Sequence, residues 1–491
     1  MAWLTWTGPP AVSYAATSAA GPASWSTSTS RTKGRTVKIP SQTHSVTFSG
    51  PGAGSFPLTW SQQWMWRAVQ LNAPNLLHLN LKLTVPVPTG LGLEDTFSAL
   101  SVLMTRHHAL RTRFHVDESC RPRQTVFGSG EIAVELHDSG EEDPSRTAER
   151  AVAALTALPF TVPEFAVRAA VITTRGVPSA VVLVVFHLTI DGWAACRLKD
   201  DLGRIMRKRA GESVDEPEPR VVQPSDRAEY EFSRRGAERS EKSLQYWKDQ
   251  ILAFPAANDV PSRRAPEAPR FQEIHMHSRA LQAAARTLSE HAGVSSQSVY
   301  VSLASTILAE RSGQPRVGFL IFCHNRFTRS AQDLSGCLVQ DYPVVVETGR
   351  RPLLETLRAI HTSLSNGIFS AQYDPAALAS MLELVRQETG HVPDLSCAVN
   401  LLSTMLMPSH LTTGGAARDE DDLSELAGLT RFTRGPSMEH EDMNIYLTVR
   451  QSDGETTVSL RADTALFPPS EIRDCLRHME RLSLAWFDSL A

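Results

Sequence analysis

The stretch from Ala166 to Ile190 limits the fold more than any other part of this chain. Two apolar runs, Ala166 to Thr173 and Ala180 to Phe186, are separated by Arg175-Gly176-Val177-Pro178, which reads as a hairpin turn. Val181 to Ile190 is the most apolar segment, and its length suits a buried strand. A membrane span needs about 18 or more apolar residues, and no run approaches that, so no membrane partner is expected. Single cores stop growing near about 250 to 300 residues. A chain of 491 residues is therefore expected to form two lobes.

The periodicity supports that division. Leu77, Leu79, Leu81, Leu83 and Val85 alternate with polar residues, as on a half-buried strand, and Leu93, Phe97, Leu100 and Met104 then recur at helical spacing. Arg106 to Phe114 reads as a helix end followed by a strand, and Leu198, Leu202 and Ile205 mark a helix after the apolar run. The charged, proline-rich segment from Asp215 to Pro224 is the expected connection between lobes. A similar order follows it. Helices are predicted at Arg279 to Ala292 and Ser298 to Arg311, a strand at Val317 to Cys323, a helix at Leu353 to Leu364 and a strand at Met443 to Val449. The run Thr412 to Arg434, with Asp419-Glu420-Asp421-Asp422 inside it, reads as a long exposed loop with a solvated acidic surface. Residues 1 to 44 are rich in Ser, Thr and Ala, carry no basic residue before Arg31, and read as a disordered leader. The expected lobes are 45–222 and 223–491, α+β in class, each a sheet covered by helices.

Charge and cysteine content exclude several function classes. A net charge of -4 with 21% charged residues offers no basic excess for nucleic acid. The six cysteines (Cys120, Cys196, Cys323, Cys337, Cys397 and Cys475) include no C-x-x-C pair, which argues against a zinc site or disulfide framework and fits a cytoplasmic protein. His275 and His277 share a strand face that could hold a metal, but no third ligand is in evidence, so no metal site is expected. Cys196 has no partner base and reads as packing.

The chemistry-bearing candidate is the end of the buried strand. His187 closes it, and Asp191-Gly192 follows at a spacing that suits a tight loop, where glycine allows a turn that other residues resist. A neutral imidazole there can accept a proton from an attacking amine or hydroxyl, or orient that nucleophile. The same residues also suit a histidine that merely ends a core strand beside an ordinary turn.

Phe186-His187-Leu188-Thr189-Ile190-Asp191-Gly192-Trp193 resembles the His-His-x-x-x-Asp-Gly signature of nonribosomal peptide synthetase condensation domains, with Phe186 in place of the first histidine. Further segments follow in family order. Pro57 to Trp66 is similar to the opening motif, with Trp64 where arginine is usual. Arg106 to Phe114 is close to Arg-His-x-x-Leu-Arg-Thr-x-Phe, in which His107 and His108 are structural. Val317 to Arg326, then Gly336 to Pro343, follow a strand, an arginine and a Gly-x-x-Val-Asn-x-x-Pro loop, with Gln340, Asp341 and Tyr342 replacing Asn-Thr-Leu; Gln372 to Pro375 matches a later element loosely.

The resemblance implies two chloramphenicol-acetyltransferase-like lobes in a V-shaped pseudo-dimer with a central tunnel. Acyl or peptidyl carrier proteins would present substrates there on phosphopantetheine arms, with no cofactor bound to the chain itself. His187 would lie at the meeting point, backbone donors near Gly192 would help to hold the oxyanion, and Asp191 would pair with Arg326, unless Arg326 is a solvated loop arginine. Trp193, Gln340, Asp341 and Tyr342 would line the tunnel. Phe186 should turn to the opposite face and fill an apolar slot.

The expected activity is that of a free-standing condensation enzyme of secondary metabolism. It would join a carrier-bound acyl or aminoacyl thioester to a small-molecule amine or alcohol, or to a group on a second carrier protein. No adenylation or carrier segment fits in the sequence, so the thioester is expected from a separate protein. The alternatives are a catalytically silent module that recruits a tailoring enzyme and, suggested by Tyr342-Pro343, an epimerisation-type member.

Overall fold

The computed structural model describes residues 42–72, 76–160, 164–214, 220–256, 264–349, 351–402, 423–452 and 454–490. The first lobe comprises β1 (Gln42–Ser49), β2 (Gly54–Pro57), α1 (Trp60–Asn72), β3 (Asn80–Pro86), α2 (Leu93–Arg106), β4 (Thr112–Val116), β5 (Pro122–Val126), β6 (Ser129–Asp138), α3 (Pro144–Thr156), β7 (Val167–Thr174), β8 (Val177–Phe186) and α4 (Gly192–Arg209). Its main sheet runs β1-β6-β7-β8-β3, and β2-β5-β4 form a small second sheet.

Strand alternation sorts the core of this lobe into two layers. Val181, Leu183 and Val185 of β8 pack with α2 and α4, whereas Val182, Val184 and Phe186 pack with Met65, Trp66 and Val69 of α1 and Ala151 and Leu155 of α3. With helices on both faces, β8 is apolar along nearly its whole length. The turn before it is built by Arg175 and Gly176, both with positive φ (51° and 79°), as a two-residue hairpin loop requires.

The rest of the chain adds α5 (Pro224–Glu231), α6 (Arg234–Ala253), β9 (Phe271–Ser278), α7 (Arg279–Ala292), α8 (Ser296–Ser312), β10 (Arg316–Cys323), α9 (Arg329–Gln332), β11 (Gln340–Glu347), α10 (Leu353–Gly367), α11 (Pro375–Thr389), β12 (Cys397–Leu402), α12 (Leu423–Gly428), β13 (Arg431–Arg434), β14 (Ile445–Ser452), β15 (Glu455–Asp463) and α13 (Pro469–Asp488). The sheet order is β11-β10-β12-β14-β15-β9-β13. One face carries the core formed with α7, α8, α10 and α13. The other is covered in part by α6 and α11, through Trp247, Ile251, Leu378 and Leu382. Helices α7 and α8 each stop at a left-handed glycine, Gly293 and Gly313, as a helix C-terminus favours. Among the described residues, no helix is long and apolar enough to cross a membrane.

Some expectations need correction. Leu77–Leu79 form a 3-10 turn, closed by the Asn80 N–H on the Leu77 carbonyl, so the strand begins only at Asn80. Thr412 to Arg434 is not one loop: residues 412–422 lie outside the described part, Leu423–Gly428 is helical, and Arg431–Arg434 pairs with β9. Residues 1–41 of the expected leader also lie outside it, while Gln42–His44 already belong to β1, where the His44 ring stacks on Phe97 at 3.9 Å. Of the expected connection, 215–219 lie outside the described residues; Val222 exchanges backbone bonds with Asp333 and Ser335, and Pro224 opens α5.

Candidate active site

The site is built where β8 runs into α4. Past Phe186 the chain turns, with the Thr189 N–H on the Phe186 carbonyl, and the His187 N–H donates to the Leu79 carbonyl at 2.8 Å. Asp191 caps α4 by accepting the Ala194 N–H at 2.9 Å. Gly192 is the first residue of that helix, exposed and without a positive φ. The turn expected to need glycine therefore does not draw on its conformational freedom; what the position supplies is a backbone N–H that no helical carbonyl can take.

Asp191 and Arg326 are the buried centre of the arrangement. Arg326 Nη2 lies 2.7 and 2.8 Å from the two Asp191 oxygens, with both side chains 1% exposed or less. The guanidinium also donates to the carbonyls of Ala331, Leu334 and Gly336, and Asp191 Oδ2 accepts the Leu338 N–H. Nearly every lone pair and proton is used, as a buried ion pair requires. Because the pair joins the loop after β8 to the loop after β10, it fixes one lobe on the other. The solvated-arginine alternative for Arg326 does not hold.

His187 is partly exposed, with Nδ1 on its buried side. Burial holds the imidazole below its usual pKa, opposed by its own carbonyl, by Asp191 and by the Ile190 carbonyl. Nδ1 meets none of these at full hydrogen-bond geometry, so the carbonyls act as nearby dipoles. The ring is neutral near pH 7, and its Nε2 edge is the accessible one. Phe186 turns the other way, stacking on Phe160 at 5.4 Å within an apolar cavity lined also by Trp66, Val69, Leu76 and Ala166.

Of the remaining expected site residues, Trp193 lies in the first turn of α4 and the other three begin β11. Trp193 donates Nε1–H to the Gln332 carbonyl at 3.2 Å and stacks on His324. Gln340 is buried, with Nε2 on the Tyr373 carbonyl at 2.9 Å. Asp341 accepts the Trp64 Nε1–H at 3.3 Å and the Tyr373 hydroxyl, and burial raises its carboxyl to about 6 against those bonds. Tyr342 points into the helix-covered core, its hydroxyl on the Leu364 carbonyl.

Three residues near the site escaped the sequence reading. His78, in the turn before β3, is pushed to about 4 by burial, with Arg461 and His187 acting in the same direction. Arg461 pairs with Glu441 at 2.8 Å and Glu273 at 3.3 Å, and lies over the Tyr446 ring. His324 stands two residues before Arg326. All three come from segments far apart in sequence, and only Arg326, two positions from His324, gave a local signal. His107 bridges Ser335 and Asp201, and the His108 N–H donates to Gln223. The structural roles expected of both are observed. His275 and His277 bond to hydroxyls on neighbouring strands. Among the described residues, no group of three or more His, Cys, Asp or Glu is arranged to hold a metal ion.

A family model described as the condensation domain matches residues 53–488. Chondramide synthase cmdD of Chondromyces crocatus is 22% identical over 453 residues, 89% of this chain and 11% of the synthase. CymA of Salinispora arenicola, a probable non-canonical nonribosomal peptide synthetase by its name, is 28% identical over 213 residues, 42% of this chain and 3% of that protein. The chain thus spans a small part of these relatives. Among solved structures, SgcC5 from Streptomyces globisporus superposes with a TM-score of 0.66 at 18% identity, covering 87% of this chain and 98% of that one. The structure describing condensation-domain-mediated chain release from the enacyloxin polyketide synthase gives 0.67 at 18%, covering 89% and 84%. Both likenesses concern the fold. With the family match running over residues 53–488 and the signature loop joined to Arg326, the chain belongs to the condensation-domain family, which in general comprises acyl-transferring enzymes that work with carrier protein domains.

Proposed function

We propose that this protein joins a carrier-bound acyl or aminoacyl thioester to an amine, or to a hydroxyl, giving an amide or an ester. The observation that carries this reading is the division of labour between His187 and Asp191. Asp191 is engaged by Arg326, the α4 backbone and Leu338, while burial keeps His187 neutral, with its Nε2 edge free to accept the nucleophile's proton. As the amine or hydroxyl attacks, its proton passes to Nε2, the carbonyl oxygen gains charge near the backbone donors at the start of α4, and the thiolate of the carrier arm departs with that proton.

The substitution at Phe186 fits this reading. Its ring occupies an apolar cavity on the face away from His187, so its identity bears on packing.

The test uses an acyl-loaded carrier protein with a panel of amines and alcohols, and product read by mass spectrometry. His187→Ala should slow product formation by about 100-fold or more while leaving carrier affinity intact. Equal rates for the two proteins would remove the histidine from the mechanism. Tight binding of a tailoring enzyme without turnover would favour a recruiting module, and an inverted stereocentre without a new bond would favour epimerisation.

A further inference from the structure

The histidines with structural roles in this fold spend their ring nitrogens on protein groups. His107 bridges Ser335 and Asp201, and His277 bridges Thr457 and Thr433. His78 does not. Its ring is half-buried, makes no hydrogen bond among the described residues, and has neither nitrogen sealed from solvent. Both nitrogens are therefore open to a bound molecule.

Its place in the fold is beside His187. Strands β3 and β8 pair as far as Asn80 and Phe186, and the His187 N–H then reaches the Leu79 carbonyl at 2.8 Å. His78 stands one residue from the carbonyl that anchors His187. The 3-10 turn sorts its side chains, because residues three apart lie one above the other. Leu76 and Leu79 pack in the layer that holds Phe186, which leaves His78 off that layer, as His187 is. From the second lobe, Arg461 of β15 acts on the same ring, its own charge held by Glu441 and Glu273. Burial, Arg461 and His187 push His78 down to about 4, so near pH 7 it is uncharged and presents one N–H and one lone pair.

We propose, resting on the acyl-transfer reading above, that His78 is a further catalytic residue of this site and hydrogen-bonds the reacting groups alongside His187. During attack, His187 Nε2 is occupied by the nucleophile's proton and Nδ1 lies on the buried side, so His187 has nothing more to offer the groups whose charge changes. A second imidazole without charge supplies a donor and an acceptor there, and it adds no repulsion to the imidazolium forming on His187. Nucleophile and thioester carbonyl share one place in the transition state. The contact is therefore read in kcat and not in the affinity for one substrate.

The test uses the full-length protein, an acyl-loaded carrier protein and the amine or alcohol that the parent accepts. His78→Phe, which keeps a ring without nitrogens, should lower kcat by about 10-fold or more, the scale of one hydrogen bond between uncharged partners. KM for either substrate should move little, and His78→Gln should recover part of the loss. In a His187→Ala background the same change should cost little, since residues that act as a unit are not additive. The melting temperature of His78→Phe should match the parent's, because no hydrogen bond among the described residues is lost. In the parent itself, diethyl pyrocarbonate should modify His78 together with the exposed His440 and spare the buried His107, read by peptide mass spectrometry. An unmodified His78, an unchanged kcat in His78→Phe, or an equal cost with and without His187 would overturn the proposal and leave the acyl-transfer reading standing. A parent that forms no product with any acceptor would sink that reading, and the role of His78 with it.

Discussion

A histidine that works as a base must be unprotonated, and the surroundings of His187 favour that state. Burial lowers its pKa below 6.5, so the acid limb of the rate profile should fall at lower pH than for a free imidazole. The sign follows from the charge: as pH drops through the depressed pKa, the ring gains a proton and loses its lone pair. A kcat/KM profile from pH 5 to 8 with its acid midpoint above 6.5 would contradict this. Phe186 gives the complementary expectation. Phe186→His places a polar ring among Phe160, Trp66 and Leu76, so stability should fall by about 1–3 kcal/mol while the rate per folded molecule changes little. A urea midpoint equal to that of the parent, or a large gain in rate, would count against it. At this scale the sequence was informative where a motif concentrates its signal: His187, Asp191 and Arg326 were readable and the pair was found. Arg461, His78 and His324 were not, because each belongs to a different segment and only the folded chain brings them to the same junction.

Packing decides which element boundaries a sequence can reveal. Strand β8 was legible because it is buried on both faces, whereas β13 was hidden by two arginines on a four-residue edge strand whose pairing with β9 depends on distant backbone. The alternation before β3 misled for the opposite reason, since Leu77 and Leu79 continue the strand pattern through a turn. The meeting of α1 and β11 allows a quantitative test. Asp341 lies under Trp64 and Tyr373 with its carboxyl raised from 3.8 to about 6, mainly by burial. The folded protein therefore holds this proton more tightly than the unfolded chain, so stability is lost as pH rises through that window. Asp341→Asn, neutral at every pH, should differ little from the parent near pH 4 and gain up to about 3 kcal/mol over it by pH 7, at 1.36 kcal/mol per unit. Urea midpoints of both proteins at pH 4.5 and 7.5 measure this, and a difference independent of pH would show that the buried charge is compensated.

The two lobes are joined by a few polar links, and these place His187 relative to the second lobe. Trp64 bonds Asp341, His107 bonds Ser335, Trp193 reaches the Gln332 carbonyl, and Asp191 grips Arg326. The last is the most buried of the four, and its loss should be felt first between the lobes, since each lobe keeps its own apolar core. Asp191→Ala leaves the Arg326 charge uncompensated in a dry setting, at a cost of roughly 3–5 kcal/mol. It also removes the cap of α4, worth about 1 kcal/mol more. Because that cost weakens the junction more than either core, the variant should lose the coincidence of its unfolding transitions. In urea, hydrogen exchange should report early opening of the loops at residues 187–191 and 326–338, ahead of β8 and β10. A single transition at the parent midpoint, with those loops still protected, would mean that the ion pair contributes nothing net and that apolar contact alone holds the lobes together.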